Sequence, residues 1–165
     1  EMIAMEDWAI HQDQYSVAIR VPEGEVHHSD EPYPTDYSDI DRYHVAHRGS
    51  RVALVALGNF FDKGRRLAKE GIDATLVNPR FITGTDDDLL RSLQADHELV
   101  ATLEDGSVDG GFGERIARFY GPTEMKTLCF GVRKALYDRY DVQQLLRDNG
   151  LTDEQVAESI LTTLK

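Results

Sequence analysis

Residues 97–120, HELVATLEDGSVDGGFGERIARFY, read as a strand, a glycine-rich turn and a helix. Leu99, Val100, Ala101 and Leu103 make an apolar run of strand length, which Glu104, Asp105 and Gly106 are expected to end. Gly110, Gly111 and Gly113 crowd the start of the next element, where Phe112, Ile116, Phe119 and Tyr120 fall at helical spacing. A strand feeding a helix through glycines is half of a βαβ unit, where glycine permits a sharp turn and close helix–strand approach. Helix N-termini attract anions, so a phosphate cradle is the rival reading. Three features oppose it. No Lys-Ser/Thr follows the glycines, and Ile116 stands where a dinucleotide fingerprint carries glycine or alanine. Glu104, Asp105, Asp109 and Glu114 would also repel a pyrophosphate. The turn is therefore read as structural, with Gly110, Gly111, Phe112 and Gly113 as candidates for facing another domain or subunit.

The same alternation continues on both sides. Tyr43–Ala46 (YHVA) is a short strand, followed by the turn Gly49-Ser50. Arg51–Leu57 (RVALVAL) is nearly all apolar, as in a strand covered on both faces of a parallel sheet. Asn59 is expected to cap the next helix and Gly71 to close it. Ile72–Val77 is another strand. Thr85 is expected to cap a helix that begins Asp86-Asp87-Asp88, acids that suit the helix dipole. Lys126–Phe130 is the last strand. Two helices come after it, over 141–149 and 153–164. Thr152-x-x-Gln155 is a capping box for the second, and Val156, Ile160, Leu161 and Leu164 are its apolar stripe. Five strands alternating with amphipathic helices give an α/β fold: a mostly parallel sheet between helical layers. The first strand, joined to the second by a tight turn, is expected to be antiparallel. Val52–Val55, Leu76, Val77, Val100, Leu103, Leu128 and Phe130 are expected in central strands.

Residues 1–12 read as a helix, and Ser16–Val21 (SVAIRV) as a strand stopped by Pro22 and Gly24. Residues 25–41 hold prolines and acids with little apolar periodicity, the composition of an extended linker. This predicts three parts: 1–24 as the tail of a preceding domain, 25–41 as linker, and 42–165 as the domain proper. The opening at Glu1, inside an element, predicts a longer protein.

At 165 residues the chain can bury one sizeable core. Its net charge of −12, from 30 acidic and 18 basic residues, speaks against nucleic acid or an anionic membrane as partner. A single cysteine, Cys129, rules out an intrachain disulfide and fits a reducing, cytoplasmic setting. No apolar run reaches the ~18 residues of a membrane span, and no secretory signal pattern is present.

Few residues suggest chemistry. His27-His28 lie among acids without a cysteine and read as solvated rather than metal-binding. His44 and His47, three apart on a strand, are expected on opposite faces. His97 reads as bonded to a loop carbonyl. Asp36, Asp39 and Asp41 read as solvated, and Asp86–Asp88 as a helix start rather than a cation site. Cys129 reads as a small core residue. No Gly-x-Ser-x-Gly, His-Glu-x-x-His or Cys-x-x-Cys occurs. The expected catalytic and metal sets are both none.

Five stretches taken in order carry a family resemblance: IRVPEG at 19–24, VALVALG at 52–58, NPRFITGTD at 78–86, HELVATLEDGSVDGGFGERI at 97–116 and LLRDNGLTDEQVAESI at 145–160. Together they resemble the C-terminal part of 1-deoxy-D-xylulose-5-phosphate synthase, of the transketolase group. The resemblance implies a three-layer α/β/α domain with five strands, one of them an antiparallel edge strand. It implies a parent homodimer that joins pyruvate to glyceraldehyde 3-phosphate, for isoprenoid biosynthesis, with thiamine diphosphate and magnesium. The cofactor would sit between two upstream domains of the same chain, and residues 1–24 would end the pyrimidine-binding one. The C-terminal domain would organise the dimer and hold no cofactor itself. In the family the motif IRYPRG carries a second arginine suited to the substrate phosphate. Here that position is Glu23, and an acid would repel a phosphate. Arg20 matches the first arginine. Thr83-Gly84 also departs from the family's usual proline. These departures leave the substrate open. The competing implications are a related transketolase, a 2-oxo acid dehydrogenase beta subunit, or a free-standing anion-binding module built on the Gly110–Gly113 turn.

Overall fold

The computed structural model describes residues 1–21 and 32–165. The chain divides into two compact units, Glu1–Asp41 and Arg42–Lys165.

The first unit holds one helix among its described residues, α1 (Met2–His11). Trp8 donates its indole N–H to Ser38 Oγ at 3.3 Å, and Tyr37 meets its ring edge-on with centroids 6.1 Å apart. Asp36 braces this turn by accepting from the Ser38 N–H at 2.9 Å. The strand expected at Ser16–Val21 does not form. Val17 and Val21 are exposed, and the run has no ladder partner among the described residues. A β-rich run without a neighbour has nothing to satisfy its backbone except water. Pro22, Glu23, Gly24, His27 and His28 lie outside the described residues.

The second unit is a five-stranded sheet with helices on both faces. The strands are β1 (His44–His47), β2 (Arg51–Ala56), β3 (Ala74–Asn78), β4 (His97–Ser107) and β5 (Lys126–Val132). The helices are α2 (Phe60–Arg66), which runs on into a π-turn at Leu67–Gly71, then α3 (Asp87–Leu93), α4 (Phe112–Tyr120), α5 (Val142–Asp148) and α6 (Asp153–Thr163). The sheet order is β1-β3-β2-β4-β5, with β1 antiparallel to β3 and the other pairs parallel. Side chains alternate between faces along β2. Val52, Leu54 and Ala56 join a core with Leu67, Val156 and Ile160, while Ala53 and Val55 join the opposite core with Leu90, Ile116 and Tyr120. A strand covered on both faces must be apolar at every position, which explains the run at 52–56.

Several local expectations are corrected. The β1 strand is antiparallel as expected, but its neighbour is β3 rather than β2. The Gly49-Ser50 turn therefore carries the chain past an intervening strand and closes no hairpin. Leu128 and Phe130 lie in an edge strand, β5, and are half-buried. Asn59 makes no side-chain cap, and α2 starts on backbone bonds from Phe60 N–H to Leu57 and from Phe61 N–H to Gly58. At its other end the π-turn closes through the Ile72 N–H on the Leu67 carbonyl, with no left-handed glycine at 71. The cap of α3 is Asp86, one residue after Thr85. The Thr152–Gln155 capping box forms as expected, with Val156 and Ile160 buried, whereas Leu161 is exposed.

Candidate functional site

The glycine turn lies at the carboxyl end of the parallel strands. The connections from β2 to β3 and from β3 to β4 leave in opposite directions, so β2 and β4 flank the switch point where open α/β sheets commonly bind ligands. The acids Glu104–Gly106 do not end β4, which runs on to Ser107 with its β5 pairing interrupted between Leu103 and Ser107. The Val108 N–H then bonds the Val132 carbonyl at 3.0 Å and holds the turn beside β5.

Glu104 has a role that the sequence did not disclose. Its side chain is 4% exposed and turns back to the start of α4, where its two carboxylate oxygens accept from the Phe112 and Gly113 N–H groups, each at 2.9 Å. Gly111, the N-cap of α4, supplies no side-chain cap of its own. The orphan donors of this helix start are thus met by a carboxylate from eight residues upstream. Two glycines make room for it. A Cβ on Gly111 would lie 2.6 Å from the Glu104 carboxylate and closer still to the Ser107 carbonyl, and one on Gly113 would lie 2.5 Å from Thr102 Oγ1. These glycines serve close packing around an internal anion, and the donors a phosphate would need are already engaged. The available signal was an acid at the end of a strand, followed by glycines and a helix start without Ser, Thr, Asp or Asn.

The four turn candidates separate. Phe112 and Gly113 are buried within the domain, and Phe112 packs near Tyr43, 6.3 Å between centroids. Gly110 is exposed at the tip with φ of +75°, a backbone that favours glycine. Gly111 is half-buried. Past Val132 the connection to α5 carries Leu136, Tyr137 and Tyr140, and α5 opens with Val142, all four exposed. Arg20 belongs to the first unit and is exposed or nearly so along with its neighbours.

The other singled-out residues are structural in this arrangement. His97 is buried at the amino end of β4. Its Nε2 shares a hydrogen bond with Thr75 Oγ1 at 2.8 Å and its Nδ1 one with Asp96 at 2.6 Å, not with a loop carbonyl. Thr75 Oγ1 in turn accepts from the Gly49 N–H at 3.2 Å, so one network ties β3, β4 and the entry to β2. Asp86 is 5% exposed and accepts from the N–H groups of Leu89 and Tyr43 and from Arg42. Burial pushes the Cys129 thiol above its ordinary value; the neighbouring Thr102 hydroxyl opposes this, and the charges of Glu104 and Glu114 add to it. A thiol raised in this way is a poor nucleophile. Among the described residues no cluster of three or more His, Cys, Asp or Glu could hold a metal, and no helix is long and apolar enough to cross a membrane.

The chain is similar to known proteins over most of its length. A family model described as transketolase, C-terminal domain, matches residues 41–156. The 1-deoxy-D-xylulose-5-phosphate synthase of Mycobacterium leprae is 34% identical over 160 residues, which cover 92% of this chain and 25% of that protein. The synthase of Nitrosospira multiformis is 30% identical over 145 residues, covering 87% of this chain and 24% of its own length. The solved structure of a split-gene transketolase, an inactive beta4 tetramer, superposes with a TM-score of 0.62 at 26% identity, over 84% of this chain and 45% of that one. The chain thus spans about a quarter of the length of the curated relatives it matches.

Proposed function

The chain belongs to the transketolase C-terminal domain family, and from that premise we propose that it is the non-catalytic, assembly-organising domain of a thiamine diphosphate-dependent ketol transferase. Glu104 is the observation that supports this reading most. It fills, with a buried carboxylate, the helix start at the sheet's switch point, the place where a catalytic or cofactor-binding α/β domain presents free N–H groups. The residues of this domain do not fit thiamine diphosphate. A diphosphate–magnesium site needs oxygen ligands around a hard cation and an anion cradle. Here the family's Gly-Asp-Gly is absent and the cradle is taken. In this reading the cofactor is held by upstream domains, with residues 1–24 the end of one of them and 25–41 the link. The enzyme acts as a cytoplasmic homodimer, and likeness to synthases favours pyruvate and glyceraldehyde 3-phosphate as its substrates. Glu23 at the family's phosphate position argues for a different or differently held acceptor.

The surface offered for assembly is the exposed Asp109–Gly110 tip together with Leu136, Tyr137, Tyr140 and Val142. The last four are exposed apolar side chains that follow the edge strand β5 in the chain. The test has two arms. Calorimetry of this chain with thiamine diphosphate and magnesium gives no saturable heat; micromolar binding would overturn the non-catalytic assignment. In the enzyme that carries the domain, Tyr140→Asp with Leu136→Asp shifts the sedimenting species from dimer to monomer and lowers turnover. An unchanged dimer with unchanged turnover would remove this patch from the interface.

A further inference from the structure

We propose that the concavity between α3 and α4 is a binding site for a small phosphate monoester, separate from the glycine turn and independent of the assembly role. Thr83, Thr85, Asp87, Arg115, Arg118 and Phe119 line an open volume of about 520 Å³, within the range of small-ligand sites. It opens on the loop that leaves the carboxyl end of β3, the side of an α/β sheet where ligands collect.

Two arginines and one acid stand on its lining. Asp87 accepts from Arg91, which it shares with Asp88, at 3.1 Å and from the Thr85 hydroxyl at 2.7 Å. Arg115 spends one N–H on the Ile82 carbonyl at 2.6 Å and keeps the rest of its fork. Arg118 is exposed and has no ion pair or hydrogen bond among the described residues, even though Glu114 stands one turn before it. Two guanidinium groups therefore line one concavity with a single carboxylate, Asp87, in a molecule of net charge −12. Planar forks of this kind match the oxygens of a phosphate, and Thr83 adds a hydroxyl at the rim. The negative field of the rest of the molecule disfavours long polyanions, which leaves small phosphates as the fitting class.

The walls are also fixed in advance. The Tyr43 hydroxyl donates to the Gly84 carbonyl at 3.1 Å, and Arg115 holds the Ile82 carbonyl. Phe119 stands edge-on to Tyr120 with centroids 5.0 Å apart, and Tyr120 is anchored by its hydroxyl on the Leu90 carbonyl at 2.8 Å. The Phe119 ring, with Arg91 over it at 5.8 Å, offers an apolar wall for the body of the ligand.

Phenyl phosphate is a suitable probe, because it joins a phosphate monoester to a ring that can lie on Phe119. Amide chemical-shift titration of the 15N-labelled chain is expected to give saturable shifts confined to 83–87 and 115–119. Arg118→Gln, at an exposed side chain, leaves the remaining spectrum unchanged and weakens binding about tenfold, the equivalent of one charge-assisted hydrogen bond. Arg115→Gln weakens it as well, and phenol produces no shifts. The proposal is overturned by shifts that do not saturate, by shifts scattered over unrelated surface cations, or by an affinity that survives both substitutions.

Discussion

Two helices of this domain begin in opposite ways. At α6 the start is written locally: Thr152 accepts from the Gln155 N–H and Gln155 reaches back to the Thr152 N–H, each at 3.2 Å. Asp153, the first helical residue, faces Lys63 and Arg66. At α4 there is no local cap, and a buried carboxylate arrives from the preceding strand. The first start can be assembled by a few neighbouring residues and stays partly solvated. The second exists only when β4, the turn and α4 are all in place. A helix start that lacks Ser, Thr, Asp and Asn in a glycine-rich turn is thus a place to look for a remote partner before assuming an external ligand.

The largest expected effect comes from removing the remote cap. Glu104→Ala leaves two buried N–H groups without an acceptor and should lower stability by ~3 kcal/mol in urea denaturation. It also empties an anion site, so formate should restore part of the loss in this variant and none in the parent. Equal stability for variant and parent would mean that the carboxylate is a bystander. Gly111→Ala attacks the same place sterically. Its φ is −79°, so the backbone tolerates alanine, but the added Cβ meets the Ser107 carbonyl and the Glu104 carboxylate. Overpacking of this kind costs ~2 kcal/mol. The loss should appear in this domain by itself, with no partner present, as a lower thermal midpoint. An unchanged midpoint would place the turn's tightness at an interface instead.

At α6 the corresponding change is milder. Thr152→Ala should cost ~1 kcal/mol, because water replaces the lost cap and Gln155 remains. A cost equal to that of Glu104→Ala would erase the distinction between the two starts.

The same contrast explains what could be read in advance. The alternation of apolar strands and amphipathic helices was legible because both faces of β2 and β4 are buried and the periods of strand and helix differ. The capping box was legible because its partners are three residues apart. The role of Glu104 was hidden because an acid at the end of a strand looks like a breaker until the helix is folded over it. Likewise the pairing of β1 with β3, the edge position of β5 and the Asp96–His97–Thr75 network depend on strand order, which periodicity does not specify. The Arg115–Arg118 concavity was hidden because it needs the loop after β3 to lie beside α4.

The smallest expected effect is at Asp153, and its sign is fixed by the groups around it. Burial alone would raise its pKa, but hydrogen bonds from Arg66 and Lys63, and the charges of both, more than offset that and hold it below its ordinary value of 3.8. A carboxylate with a depressed folded pKa adds stability that is present above the unfolded value and lost as pH falls through the folded one. Asp153 is partly exposed, so solvent screening limits the contribution to ~0.5–1 kcal/mol at neutral pH. Asp153→Asn should therefore be slightly less stable than the parent at pH 7, and the gap should close as the pH is lowered through 3.8 and below. Added salt should narrow the gap at pH 7 as well, because the Arg66 arm of the pair is exposed. Parallel urea titrations of the two proteins across that range decide it. A gap that persists at low pH would show that Asp153 works through geometry alone, and the start of α6 would then resemble that of α4 more closely than the capping box suggests.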